Sequence, residues 1–180
     1  MINEVDTWLL GQLGPDIAGD PTEVISSRER LVLRDLAKQV AEIAAEPVMA
    51  ERRAMWFRHN RLERVRPMVL VFPEGAWREL LPPKSLVCTG QRARDIEWTL
   101  RARLYHREHI PDDTAIERDW TIHKRIALTG WGLEQQVHPR TQATGSWSFD
   151  PVIKTASDLR KLRAPEVLYD EQGSQRDMDQ

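Results

Sequence analysis

Apolar positions repeat at helical spacing over much of the first 110 residues. Ser26 followed by Glu29 forms a capping box, which predicts a helix start. Leu33, Leu36, Val40 and Ile43 then make one stripe along that helix. Pro47 closes it and suits the first position of the next helix. The second helix carries Val48, Met55 and Trp56, with a basic face of Arg52, Arg53, Arg58 and Arg61. A third helix is predicted from residue 90 to about 109, with Ile96, Leu100 and Leu104 four apart. Trp98 and Tyr105 share a neighbouring face of it.

Between the second and third helices the pattern changes. Residues 68–72 are apolar without a break, and Pro67 and Pro73 bracket them. With Val69 and Val71 β-branched, the run predicts a strand buried on both faces, as in a parallel sheet. A short turn or helix follows over residues 75–81, stopped by Pro82-Pro83.

Beyond the turn Pro111-Asp112-Asp113-Thr114, residues 115–128 alternate apolar and polar. Period two predicts a strand or hairpin with one wet face. Thr129-Gly130-Trp131-Gly132 reads as a turn, residues 133–138 as a returning strand, 140–145 as a polar loop and 147–152 as extended. Thr155-Ala156-Ser157-Asp158 opens a short helix with Leu159 and Leu162. Residues 1–25 read as an arm and 166–180 as a polar tail or the start of a truncated helix.

Composition narrows the class. The 180 residues are 41% hydrophobic and 30% charged, enough for a globular domain with a core. Near-balanced charge, 26 basic against 28 acidic side chains, argues against a general nucleic-acid or membrane-surface binder. The lone cysteine, Cys88, forms no internal disulfide and fits a reducing, cytoplasmic setting. No stretch reads as a signal peptide or approaches a membrane span.

Candidate chemistry gathers after the 68–72 run. Glu74 and Arg78 are the catalytic candidates, a carboxylate and a guanidinium placed to hold or activate an anionic substrate. Trp77 is a candidate wall of the pocket, and His123, on the polar face of the alternating segment, a further substrate contact. The competing reading is a salt-bridged turn with Trp77 as packing. His106 and His109 lie three apart on a helix, a spacing able to ligate a metal given a third ligand, or else a solvated helix end. No dinucleotide fingerprint, P-loop or nucleophile elbow is present in the sequence.

Three pieces together resemble one family. They are Arg66-Pro67-Met68-Val69-Leu70-Val71, the turn Trp77-Arg78-Glu79-Leu80-Leu81-Pro82, and the run from Pro151-Val152-Ile153-Lys154 to Asp158-Leu159-Arg160-Lys161-Leu162. Over residues 28–165 the chain is similar to the N-terminal portion of uroporphyrinogen decarboxylase-like proteins, a group that includes corrinoid-dependent methyltransferases. The resemblance implies an α/β fold: N-terminal helices plus the first β/α units of a TIM (β/α)₈ barrel over residues 26–165. Such a barrel takes upward of roughly 200 residues, so it would be incomplete here and the chain a fragment, inactive alone.

The decarboxylase turn carries arginines that grip the substrate's acid side chains. Here only Arg78 and the Leu81-Pro82 step match it, and Glu74 is added. The resemblance therefore implies corrinoid-linked methyl transfer rather than porphyrinogen decarboxylation. It also implies a small-molecule or corrinoid-protein substrate, with corrinoid and zinc as cofactors of the complete protein. The alternative is a non-catalytic module that binds a partner through its arginine-rich helical face.

Overall fold

The computed structural model describes residues 23–139 and 148–179. The arm expected over residues 1–25 and the loop over 140–145 lie mostly or wholly outside the described residues. The chain divides after Trp120 into two compact units.

The first unit is helical. Helix α1 (Ser27–Ala44) starts at the predicted capping box: the Glu29 amide donates to Ser26 Oγ, and the Ser26 amide donates to the Glu29 carboxylate. Helix α2 (Pro47–Asn60) begins with its proline at the first turn. Helix α3 (Trp77–Leu80) is a single turn, and α4 (Gln91–His109) is the longest element. Leu33, Leu36 and Val40 of α1 bury their stripe against Met49 of α2 and against Ala93 and Leu100 of α4, with Cys88 and Ile116 closing the cluster. A second cluster forms on another face of α4, where Trp77 and Leu81 pack on Ala102 with Trp98 and Tyr105 beside them. Helix α4 is thus the common wall of both clusters.

Burying α4 on two sides forces polar side chains inside. Glu97 is fully buried, and its carboxylate accepts the Val87 amide (2.9 Å), the Cys88 amide (2.7 Å) and Arg101 Nε (2.7 Å). Burial opposes its charge, but these donors outweigh that and hold the carboxyl below its ordinary range. The last turn of α4 is tied to the start of α2 by Arg107, which donates to the N-cap residue Glu46 at 2.7 Å.

The second unit holds β1 (Arg125–Leu128), β2 (Val137–His138), β3 (Ser148–Phe149), β4 (Val167–Asp170) and helix α5 (Glu171–Met178). Strands β1 and β4 pair antiparallel, Arg125 opposite Asp170 and Leu128 opposite Val167, and β2 pairs antiparallel with β3. The alternating segment 115–128 forms a strand only at its end, and the return over 133–138 only at its last two residues. Residues 166–180, expected as a tail or a helix start, carry β4 and α5.

The barrel expectation is corrected. About half of the described residues are helical, and the sheets among them are two antiparallel two-stranded ribbons, with no parallel pair. Residues 68–72 form no strand and are not buried on both faces: Val69 is 54% and Val71 42% exposed. The physical reason is the want of neighbours. An apolar run is buried on both faces only where strands flank it and helices cover it, and no strand among the described residues pairs with this one.

Candidate functional site

Alternate peptide groups of residues 68–71 bond to one side, as those of an extended segment do, and a pair of carboxylates receives them. Helix α4 ends at His109, and Pro111 directs the chain into Asp112 and Asp113, both buried. The Val71 amide donates to Asp112 Oδ2 and the Val69 amide to Asp113 Oδ2, each at 2.9 Å. The Asp113 amide donates back to the Val69 carbonyl at 2.9 Å. Side-chain oxygens and one backbone amide thus take the place of a neighbouring strand.

Each carboxylate is itself held. Arg66 grips Asp113 with both terminal nitrogens. That guanidinium, with the Val69 amide, pushes the Asp113 carboxyl down to about 2. Asp112 accepts His106 Nε2 at 3.0 Å, the Thr114 amide at 3.0 Å and the Thr114 hydroxyl at 2.8 Å. Burial opposes its charge, yet the bonds from His106, Thr114 and Val71 prevail and leave it below the usual carboxylate range. From α2, Arg52 donates to the Thr114 carbonyl and Trp56 Nε1 to the Asp113 carbonyl, both at 2.8 Å.

His106 oriented by Asp112 has the composition of a catalytic base and its partner. Both side chains are buried, His106 at 4% exposure, and its Nδ1 meets no hydrogen-bond partner among the described residues. The adjacent hydroxyl, Thr114, donates to Asp112 rather than to the imidazole. The cluster holds a segment of chain in place, with His106 and Asp112 closed off from solvent.

The residues singled out from sequence are placed differently. Glu74 and Arg78 are exposed, one in a 3-10 turn with φ +46° and the other in α3. Trp77, between them, points inward and packs edge-on against Trp98 (5.5 Å) and Tyr105 (5.8 Å). The turn therefore sends its charged side chains and its tryptophan to opposite sides. His123 is exposed and belongs to the second unit. His109 stacks near Tyr105 while His106 turns to Asp112, so their spacing does not produce a shared ligand set. Among the described residues no three His, Cys, Asp or Glu side chains converge on a metal position.

The arginine face of α2 is largely spent internally. Arg52 holds Thr114, Arg53 pairs with Glu117 at 3.1 Å, Arg58 with Glu63 at 2.9 Å, and Arg61 lies over the Phe57 ring. An open groove of about 400 Å³ lies where α1 meets α4, lined by Ile43, Leu104, Glu42, Glu46 and Arg107 among others, and none of the sequence candidates borders it. In the sequence Asp112 and Asp113 are legible only as a turn. The available signal was two adjacent carboxylates at a helix end, which a buried site must pair with donors.

No helix of the described residues is long and apolar enough to cross a membrane. Searches of protein-family models, of curated proteins and of solved structures return no match for this chain.

Proposed function

We propose that the chain is the non-catalytic binding part of a protein of the uroporphyrinogen decarboxylase-like group, working in the cytoplasm, and that the reaction is carried by polypeptide seated on it. The observation that carries this reading is where the uncovered apolar surface falls. The three stretches that resemble the family leave apolar side chains open to water: Val69 and Val71 in the first, Leu80 in the second, and Val152, Ile153, Leu159 and Leu162 in the third. Exposed apolar side chains of this kind, within each unit, are what a covering polypeptide would bury.

Methyl transfer is the reaction assigned to the whole protein. What favours it over decarboxylation is Glu74, an exposed carboxylate in the turn where a substrate rich in carboxylates would need arginine. Corrinoid and zinc would be bound by the reaction-bearing part. The arginine face of α2 is not the surface invoked, since Arg52, Arg53 and Arg58 already hold partners within the first unit.

Native mass spectrometry of the protein taken from its own cells tests the reading. The expected result is a species well above the 20.9 kDa of this chain, as a longer polypeptide or a stable complex. Corrinoid-dependent methyl transfer is expected of that species and not of the 180-residue chain alone. A free 20.9 kDa monomer in the cell would overturn it.

A further inference from the structure

Peptide groups of an extended segment point alternately to its two edges. In residues 68–71 one edge is in use: Val69 through both its amide and its carbonyl, and Val71 through its amide, bond Asp113 and Asp112. The opposite edge carries the amides and carbonyls of Met68 and Leu70. These make no hydrogen bond among the described residues. Backbone donors and acceptors are obligatory bonding groups, and a row of them held straight and left open is a template for a further strand.

The side chains agree with the backbone. Val69 and Val71 point to the exposed side, whereas Met68 and Leu70 are half-buried. Pro67, which has no amide, sets where the edge begins. Arg66, anchored on Asp113, fixes the direction in which the chain enters it. The buried carboxylates keep the segment extended before anything binds, so docking costs little further ordering.

We propose that residues 68–71 receive an extended strand of the partner polypeptide by β-addition. The incoming backbone bonds the Met68 and Leu70 peptide groups, and its apolar side chains cover Val69 and Val71. This deepens the function proposed above and rests on it, by naming how the reaction-bearing polypeptide attaches. The occupant is a protein strand with alternating apolar residues, since backbone pairing supplies the affinity and the two valines select the side chains.

Amide hydrogen exchange, resolved to single residues, tests this on unsubstituted protein. In the isolated 180-residue chain the Val69 and Val71 amides exchange slowly and the Met68 and Leu70 amides rapidly. In the native assembly the Met68 and Leu70 amides slow by about tenfold or more, while those of Val69 and Val71 remain slow. An assembly in which Leu70 exchanges as fast as in the isolated chain would overturn the strand addition and leave the proposed function standing. A protein found only as a free monomer of 20.9 kDa would remove both.

Discussion

The two units solve the problem of burial in opposite ways. In residues 23–120 amphipathic helices enclose Leu33, Leu36, Val40, Met49, Leu100 and Ile116. In the described part of residues 121–179 the only buried positions are Gly173 and Ser174, and Ile126, Leu128, Val167, Leu168 and Tyr169 of the paired strands are exposed. Both units contain apolar residues at regular spacing. The difference is geometric: a helix of 18 residues brings its stripe against another helix, whereas a ribbon four residues long leaves its apolar side chains exposed among the described residues. Regular apolar spacing therefore specifies a core only when the chain also supplies the opposing layer.

The contrast is broken most forcefully inside the first unit. Leu36 is 6% exposed and faces both α2 and α4 through the shared cluster. Leu36→Ala removes buried methyl groups and leaves a cavity, at a cost of about 2–5 kcal/mol. Urea unfolding followed by helical circular dichroism checks it, with a lower midpoint and an unchanged slope as the expected outcome. A loss under 1 kcal/mol would mean that the stripe collapses around the gap, as a loose core does.

Acid probes the carboxylate node next. The Asp113 carboxyl is held at about 2 against an ordinary value of 3.8, chiefly by the Arg66 guanidinium. Between those values the unfolded chain binds more protons than the folded one. The stability this group contributes is therefore complete above pH 3.8 and is lost as pH falls towards 2. Asp112, also held low, adds to the same trend. Asp113→Asn removes that group's share, so its stability should fall less steeply over this interval than that of the unsubstituted chain, from a lower starting point. Equal slopes in thermal melts from pH 5 to pH 2 would show that Arg66 and Asp113 are not paired in solution.

The same comparison explains what could be read in advance. Helix α1 announced itself because its signals are local: Ser26 and Glu29 three apart, then apolar residues every three or four positions. The 68–72 run carries an equally local signal, yet it forms no strand. Its covering layers were the part that no local pattern could provide, and the carboxylates that hold it come from Asp112 and Asp113, more than 40 residues on. From sequence Trp77 reads either as a pocket wall, because chemistry stands on either side of it, or as packing in a salt-bridged turn, and it is packing. Its burial is decided by Trp98 and Tyr105, whose seven-residue spacing places them on one face of α4. Pairing of β1 with β4 joins residues about 40 positions apart, and neither strand is long enough to show which partner it wants.

The gentlest substitution is the sharpest test of the contrast. Leu168 sits in β4 opposite Ala127 and is 58% exposed. A side chain already in water has little burial to lose, so Leu168→Ser should change the stability of the isolated chain by no more than about 0.5 kcal/mol. The exposed apolar area it removes should instead show as reduced self-association at high concentration, measured by light scattering. A destabilisation above about 1 kcal/mol would mean that the ribbon is covered by some other part of its own chain. The second unit would then possess a core of its own, and the contrast between the two units would fail.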